Sequence, residues 1–511
     1  MPQHHSSSSH SSDQGIFIGF LILMFWLPLP LGSNRPWAWA IMEVAIFSLF
    51  LVWLWGFLHG RFRLTEAFQK AKQVLILFVL WLVYVAFQCI PLPYWLVEFL
   101  SPQAAYLQAL SASTEGHLPL TATLSVEPHT TTVSLLKSIS YVLLFVLTLL
   151  LVKRHKRLRW LGYAIVLSGV FQAVYGSLMT LSGLEYGFFH QKEHYTGLAT
   201  GTFINRNHLA GYLELCLAVG IGLLIAQLTD STNTTWRQRL RSVLSWLLSE
   251  KMRLRLFLVI MVIALVLTRS RMGNTAFFAS MMIAGVIGLL FSRHATRSTV
   301  ILLVSLIVID ILIVGAWFGV DKVAQRLKTT TFDSEIRDEV DIYTIPYWQD
   351  YLWTGSGLGS FSTAFPRYQD QDVGGYFDHA HNDYLEFGAE TGIIGILLIG
   401  SIVLVCLILA LLAQYKRRDS LCRGMAFSVV MGIIALLIHS SVDFNLQIPA
   451  NAATFIVILA MAWIVYYLPP QKYKHQHKKH RKRKTEKKSA STHEVEVREF
   501  SIKELLTVDG K

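Results

Sequence analysis

The chain has 511 residues, of which 53% are hydrophobic and 15% are charged. In a soluble protein about a quarter of all residues are usually charged. This composition therefore excludes an ordinary soluble domain and indicates an integral membrane protein. The formal net charge is +12. Most of it lies between residues 472 and 488, which hold ten Lys and Arg and a single acid, Glu486.

The first fourteen residues are rich in Ser and His and contain no Lys or Arg. No A-x-A cleavage site follows the next apolar run. We therefore expect residues 1–14 to be a disordered cytoplasmic N-terminus before a retained first helix, and not a cleaved signal peptide.

Twelve apolar stretches are long enough to be considered as membrane spans, because a helix needs about 20 mostly apolar residues to cross the hydrocarbon core. The fold class predicted is an all-α integral membrane protein with about 12 transmembrane helices and one large periplasmic loop. The predicted spans are residues 15–31, 37–58, 74–91, 133–152, 160–181, 208–228, 254–268, 274–292, 299–320, 392–414, 424–440 and 451–468.

Lys and Arg collect in alternate loops, which all face one side if the spans alternate. The pattern predicts a multi-pass protein of a bacterial inner membrane with both termini in the cytoplasm. The basic residues that define that side are Arg61, Arg63, Lys70, Lys72, Lys153, Arg154, Lys156, Arg157, Arg159, Arg237, Arg239, Arg241, Lys251, Arg253, Arg293, Arg297, Lys416, Arg417, Arg418 and Arg423.

Two long loops fall on the opposite side. Residues 92–132 contain no Lys or Arg, and their Pro93–Leu100 segment has the aromatic composition of a stretch lying in the membrane interface. Residues 321–391 form the one soluble-like stretch large enough to build a site. Four regions are therefore predicted: the N-terminus, an N-terminal transmembrane region at 15–199 with about five spans, a catalytic transmembrane region at 200–468, and a basic cytoplasmic tail at 469–511.

The composition of the tail argues against nucleic-acid binding, and the positions of the cysteines argue against disulfide bonds. Basic residues directly after the last span, without interleaved aromatics, favour contact with anionic lipid over nucleic-acid binding. Cys89, Cys216 and Cys406 lie in apolar runs and Cys422 lies in a basic loop, so no disulfide framework is expected.

The segment from Asp378 to Glu386 runs directly into the tenth predicted span and contains His379 and His381. A histidine at the membrane surface can accept and donate a proton near neutral pH. Arg337, in the same loop, offers a planar fork of donors suited to phosphate oxygens. A lone histidine in such a place is more often an ordinary interfacial side chain, so the interpretation depends on the combination.

This combination resembles the O-antigen ligase and O-antigen polymerase superfamily. His381 and Asn382 are followed by nine residues and then by Gly392-Ile393-Ile394-Gly395, as in the histidine signature of that family. Other matching elements, spread over about residues 200–450, are Thr202–His208, Thr268–Gly273 with Met272 between the Arg and the Gly, Arg337 before the glycine turn Gly355–Phe361, and His439–Phe444.

The resemblance implies an enzyme that takes a glycan from undecaprenyl pyrophosphate and passes it to an acceptor hydroxyl on the periplasmic face, without a cofactor. It implies that His381 removes the proton of the acceptor and that Arg271 and Arg337 stabilise the leaving pyrophosphate. The partners expected are the lipid-linked donor, a glycan or lipid A-core acceptor, membrane lipids and other polysaccharide-assembly proteins, with no nucleic acid.

Further residues are candidates for substrate binding, and each has a plainer explanation. Asn205 and Asn207 serve equally well as caps of the sixth span. His439 and Asp443 are four apart, which puts them on one face of a helix. Buried Glu214 and Asp310 are explained by helix–helix contacts as well as by function. The complete set of candidates is Asn205, Asn207, His379, Asn382, His439 and Asp443.

No metal is expected in the catalytic site. His379 and His381 would share a face of an extended chain, but no zinc spacing such as His-Glu-x-x-His accompanies them. The sequence thus predicts a metal-independent glycosyltransferase.

Alternatives remain for the acceptor and for the class of protein. The enzyme could polymerise O-antigen or exopolysaccharide, ligate finished glycan to the core of lipopolysaccharide, or act as a protein O-oligosaccharyltransferase. A secondary transporter or polysaccharide exporter with twelve spans is the alternative outside the enzymes, although such transporters usually show two related halves that this sequence lacks.

Overall fold

The computed structural model describes residues 13–113, 119–188, 190–227, 250–291, 300–301, 304–305, 332–370 and 375–470. The described residues up to Leu468 form one compact unit. The predictions for residues 1–12 and for the tail beyond residue 470 lie outside the described residues, and so does the span at 299–320 with Asp310 apart from residues 300–301 and 304–305.

The described residues are mostly helical. The helices are α1 (Gln14–Trp26), α2 (Pro36–Leu58), α3 (Glu66–Lys70), α4 (Lys72–Gln88), α5 (Tyr94–Leu100), α6 (Pro102–Ser113), α7 (Pro128–Leu151), α8 (His155–Ser182), α9 (Arg206–Ala226), α10 (Glu250–Leu267), α11 (Arg271–Phe291), α12 (Phe332–Asp350), α13 (Phe361–Ala364), α14 (Asp383–Lys416), α15 (Ser420–His439) and α16 (Pro449–Tyr467).

Strands and short 3₁₀ turns make up the other regular elements of the described part. Strands β1 (Leu92–Pro93) and β2 (Thr121–Ala122) pair antiparallel, and so do β3 (Tyr186–Gly187) and β4 (His190–Gln191). The 3₁₀ turns are Leu31–Ser33, Phe365–Arg367 and Asn445–Gln447.

Within the described ranges, eight helices are long and apolar enough to cross a membrane, namely α2, α7, α8, α9, α11, α14, α15 and α16. Helices α1 and α4 are shorter apolar helices. Each predicted span other than 299–320 coincides with a helix of the structure. The protein is therefore a multi-pass membrane protein, and the total of twelve spans stays a prediction.

Local signals fix where several helices begin. The side chains of Asn205, Asn382 and Asp419 accept backbone N–H groups in the first turns of α9, α14 and α15, which satisfies donors that have no partner inside the helix. A proline occupies the first position of α2, α7 and α16, where its missing N–H costs nothing.

The core of the bundle is built on α9, α15 and α16, which are almost entirely buried. Helices α9 and α15 approach closely at Gly222 and Gly424, where a Cβ on Gly424 would lie 2.2 Å from the Gly222 carbonyl oxygen. Small residues that let backbones touch are the usual means of packing helices inside a membrane. By contrast α2 and the second half of α14 expose many apolar side chains, as lipid-facing helices do.

One end of the bundle, here called the basic end, carries those loops rich in Lys and Arg that the structure describes. At this end Lys153 and Arg157 hold Asp13 through ion pairs of 2.8 and 2.6 Å. Arg417 donates to the carbonyl groups of Tyr466 and Leu468. The starts of α1 and α8 and the ends of α14 and α16 therefore meet at this end, and its cytoplasmic location stays a prediction.

At the other end, here called the polar end, the two long loops pack together as one layer. A separate apolar cluster joins Val97 and Leu124 of the first loop to Val340, Tyr347 and Phe365 of the second. The first loop is closed by the β1–β2 pair, and Val126 N–H donates to the Ser356 carbonyl at 2.8 Å. Both loops thus cover the same end of the bundle.

Two helices differ from the predicted spans. Helix α14 begins at Asp383, well before the predicted start at 392, because Asn382 caps it there. Its course breaks at Gly392, whose φ of 62° is left-handed. Helix α1 ends at Trp26, before the predicted 31, since a turn and a 3₁₀ segment follow.

Candidate functional site

His381 lies in the last residues before α14, at the polar end. Its φ is 57°, a left-handed conformation that is uncommon for a residue with a side chain and that tends to occur at functional sites. The adjacent Asp383 N–H donates to the Ser440 carbonyl at 2.9 Å, and the Ser440 hydroxyl donates to the Asp383 carboxylate at 2.6 Å. These bonds join the start of α14 to the end of α15 and so bring His381 to the residues that follow His439.

Asp443 is the centre of the site. It is fully buried, and its Oδ1 lies 3.6 Å from His381 Nδ1 and 3.9 Å from His208 Nε2. Its Oδ2 lies 3.8 Å from His439 Nε2. These distances are longer than direct hydrogen bonds, so the interaction is chiefly electrostatic across a small gap.

The charge of Asp443 is stabilised by the histidines. Burial by itself raises the pKa of this carboxyl, but the imidazoles of His208, His381 and His439 outweigh burial and lower the pKa below its usual range. Asp443 is therefore an anion at neutral pH in a place with little water. Such an anion can stabilise positive charge that develops beside it during a reaction.

The expectation that His439 and Asp443 share a helical face is wrong in detail. Helix α15 ends at His439 and Asp443 lies in the turn beyond it. The two side chains still meet because that turn folds back over the helix end. On its other side, His439 Nδ1 lies 2.8 Å from Glu214 Oε1 of α9, and both residues are fully buried. The sequence left open whether Glu214 serves helix–helix contact or function. In the structure it links α9 to α15.

His379 forms a second ion pair beside the first. Its Nδ1 lies 2.7 Å from Glu386 Oε1, and the other carboxylate oxygen accepts the Ala380 N–H at 2.8 Å. Burial disfavours the charged ring, but Glu386 outweighs burial and raises the pKa of His379 to about 9. His379 is therefore a cation at neutral pH.

The two histidines of the loop are not related as in an extended strand, since the left-handed turn at His381 redirects the chain. They are brought together by Phe444. Its ring stacks on His379 with centroids 4.4 Å apart and meets His381 edge-on at 4.8 Å. It also meets His208 at 4.6 Å, so one aromatic side chain positions three imidazoles.

The asparagines act in the structure as helix caps. Asn205 Oδ1 accepts the Asn207 N–H at 2.9 Å, and Asn382 Oδ1 accepts the N–H groups of Tyr384 and Leu385. The Asn382 amide also approaches Asp341 of α12 at 3.4 Å. Capping is therefore established geometrically for Asn205 and Asn382, and substrate contact by the asparagines stays a prediction.

The two candidate arginines are placed differently. Arg271 is exposed and begins α11. Two residues later, Gly273 packs so closely on α9 that a Cβ there would lie 2.5 Å from that of Ala210 and 3.3 Å from Glu214 Oε1. The backbone of Arg337 lies in α12, one turn before Asp341, and its side chain lies outside the described part.

The glycine turn from Gly355 to Gly359 packs against the first part of α14, the helix that follows His381. A Cβ on Gly355 would lie 2.1 Å from the Glu390 carbonyl oxygen, and one on Gly392 would lie 2.3 Å from that of Trp353. Both glycines have left-handed φ angles. The turn and the break in α14 therefore fit only because neither carries a side chain.

Sequence reasoning missed the residues that lock this turn. In α4, the Tyr84 hydroxyl donates to the carbonyls of Thr354 and Thr391 at 2.7 and 2.8 Å. The Gln88 amide donates to the carbonyls of Thr354 and Glu390 at 2.8 and 3.0 Å. The sequence does hold a signal for these contacts, because Tyr84 and Gln88 are two polar side chains near the end of an otherwise apolar span. Spacing alone does not reveal its partners, which lie far along the chain.

A cavity of about 530 Å³ opens beside the site and extends between the spanning helices. Most of its lining is apolar and comes from α4, α7, α14, α15 and α16. Asp383, Tyr384 and Ser440 line it near the polar end, and Lys137 of α7 also lines it. The cavity is thus a mostly apolar chamber next to a polar cluster. This arrangement suits a ligand with an apolar tail and a polar head.

Comparison with known proteins agrees with the resemblance drawn from the motifs. Residues 256–400 match the family model described as O-Antigen ligase. The matched segment contains Arg271, Arg337 and His381 and ends before His439 and Asp443. No curated protein matches the chain.

Proposed function

We propose that this membrane protein is a glycosyltransferase of surface polysaccharide assembly, which moves a glycan from undecaprenyl pyrophosphate to an acceptor hydroxyl. The observation that carries the proposal is the contact of His381, which lies inside the segment that matches O-antigen ligases, with buried, anionic Asp443. The reaction would take place at the polar end, which the distribution of Lys and Arg assigns to the periplasm.

His381 is proposed as the general base. A neutral imidazole can take the proton of the acceptor hydroxyl, a step typically worth about 10²- to 10⁴-fold in rate. Asp443 then stabilises the imidazolium that forms, because it is an anion 3.6 Å away in a buried site. The left-handed turn at His381 holds the ring towards Asp443 rather than along the loop.

The leaving group is proposed to be stabilised by cations. As the acceptor oxygen bonds to the anomeric carbon, the bond from that carbon to the pyrophosphate oxygen breaks, and its electron pair leaves with undecaprenyl pyrophosphate. The developing charge would meet Arg271, Arg337 and protonated His379. Fixed cations at the place where charge develops are the most effective electrostatic arrangement for such a step.

The mostly apolar cavity supports a donor carried on a lipid. An isoprenoid chain fits a lining of Phe78, Trp81, Leu404 and similar side chains, because burial there costs no hydrogen bonds. Lys137 lies within a predicted span, where an ionisable side chain is costly and by default functional. It is a further candidate for contact with the phosphates, which would lie nearest the polar end.

Substitution of His381, Arg337 and Arg271 by Ala tests the proposal, with surface polysaccharide and lipid-linked donor measured in the same cells. We expect product to be lost and donor to accumulate on the outer face of the membrane. His194→Ala, which changes an exposed histidine outside the site, is the matched control and should leave both unchanged.

Unchanged product in both His381→Ala and Arg337→Ala would refute the enzymatic proposal. Donor trapped on the cytoplasmic face would instead indicate a transporter or exporter. The same experiment identifies the acceptor. A polymerase defect leaves single repeat units on the lipid A-core, and a ligase defect leaves the lipid A-core without glycan. An oligosaccharyltransferase defect leaves protein unglycosylated.

A further inference from the structure

A second cluster of reactive side chains lies at the basic end, at the opposite end of the spanning helices from the candidate functional site. His155 Nε2 is 3.4 Å from Asp419 Oδ2 and 3.8 Å from Cys422 Sγ. The three donor atoms all lie within 4.8 Å of one another, and His155 and Cys422 are buried. The cluster joins the start of α8 to the start of α15.

Local structure fixes each of these side chains. Asp419 is the cap of α15, and its Oδ1 accepts the Cys422 N–H at 2.9 Å. Its second oxygen, Oδ2, is thereby directed to His155. Asp419 and Cys422 are three residues apart at the start of one helix, so their side chains are already held side by side. His155, the first residue of α8, is the third member of the cluster.

Two of the three distances between the donor atoms agree with a tetrahedral zinc centre whose fourth position is left to a water molecule. With zinc–nitrogen and zinc–oxygen bonds of about 2.0 Å and a zinc–sulfur bond of about 2.3 Å, tetrahedral edges are about 3.3 Å for N to O and about 3.5 Å for N to S. The observed 3.4 and 3.8 Å are close to both. Sulfur and imidazole donors with one carboxylate are a set that zinc accepts in proteins.

The charges around the cluster define how a cation would bind. A thiolate and a carboxylate together neutralise Zn²⁺, so binding must release the proton of Cys422. Arg417 Nη2 lies 3.6 Å from Cys422 Sγ and can donate to a metal-bound thiolate, as outer hydrogen bonds often do. Arg423 also acts electrostatically on Asp419.

We propose that His155, Asp419 and Cys422 bind one Zn²⁺, which clamps α8 to α15 at the basic end. Lys153 and Arg418 beside the cluster assign this end to the cytoplasm, where thiols stay reduced. The site is structural and plays no part in glycosyl transfer. It is independent of the proposed function.

Cobalt is the probe that tests the site, because a thiolate ligand gives Co²⁺ a charge-transfer absorption in the near ultraviolet. The purified full-length protein, freed of metal with a chelator, is titrated with Co²⁺. We expect the absorption to saturate at one equivalent and to vanish when Zn²⁺ is added. Metal content alone is not diagnostic, since His4, His5 and His10 can bind metal without sulfur.

Three variants make the test specific. Cys422→Ser should abolish the thiolate absorption, whereas Cys406→Ser, which removes another buried cysteine, should leave it intact. Asp419→Asn keeps the helix cap but loses the anionic ligand, so it should weaken cobalt binding at least about tenfold. Absence of the absorption in the wild-type protein, or its persistence in Cys422→Ser, would overturn the proposal.

Discussion

His381 Nδ1 and Asp443 Oδ1 lie 3.6 Å apart, although one residue precedes α14 and the other follows α15. The contact depends on the bond from Asp383 N–H to the Ser440 carbonyl, which ties the two helix ends together. In the proposed reaction the anion stabilises the imidazolium that forms when His381 takes a proton.

Replacing Asp443 by Asn should therefore slow the chemical step without abolishing substrate binding. The variant keeps the size of the side chain and removes its charge, so we expect kcat to fall about 10²-fold, within the range of acid–base effects, while KM changes little. Transfer from a lipid-linked donor in detergent measures both constants.

The matched control is Glu193→Gln, which removes an exposed carboxylate that has no part in the proposed site. It should retain the wild-type kcat. An Asp443→Asn enzyme with full kcat, or one that loses only affinity, would show that Asp443 does not act through His381.

The ion pair of His379 with Glu386 predicts a pH-dependent stability. The pKa of His379 is about 9 in the folded protein against about 6.5 for a free histidine. A raised pKa means that the folded state holds the proton more tightly, so the stabilisation is complete below about pH 6.5 and is lost as the pH rises through about 9.

We expect the melting temperature in detergent to fall over that interval in the wild-type protein. In His379→Gln this part of the fall should disappear, while His194→Ala should keep the wild-type profile. Identical profiles for wild type and His379→Gln would contradict a stabilising pair.

Gly392 should tolerate no side chain. Its φ of 62° and a would-be Cβ only 2.3 Å from the Trp353 carbonyl oxygen mean that Ala must both strain and displace the backbone. We expect Gly392→Ala to destabilise the protein by about 1–3 kcal/mol or more, since a left-handed backbone alone costs a residue with a side chain that amount.

Gly400, in the same helix, is the control because nothing lies within 4 Å of its would-be Cβ. Gly400→Ala should leave the melting temperature unchanged or slightly higher. Equal melting temperatures for the two variants would mean that α14 does not need its break.

Topology is tested by labelling single cysteines with a reagent that does not cross membranes. In a Cys89→Ser background, a cysteine introduced by Asp378→Cys should react in intact cells whose outer membrane is permeable. One introduced by Arg418→Cys, at the opposite end, should react only after the inner membrane is opened. The reverse pattern would remove the basis of the proposed periplasmic transfer.

The helices were predictable because the physical requirement behind them is local. A span needs a long apolar run, and such runs are visible in the sequence, so every predicted span within the described residues has its helix. The early start of α14 was not seen, because the run Asp383–Glu390 is polar and becomes buried only through partners such as Ser440 and Phe361.

The long apolar runs of the sequence are sufficient to predict a multi-pass membrane protein, and its ordered motifs are sufficient to show the resemblance to O-antigen ligases. Packing alone brings His208, His381 and His439 around the buried Asp443 carboxylate, and places Tyr84 and Gln88 against the glycine turn. The physical reason is that apolar periodicity and caps are encoded by neighbouring residues, whereas a buried charge is stabilised by side chains from distant helices that only packing brings within reach.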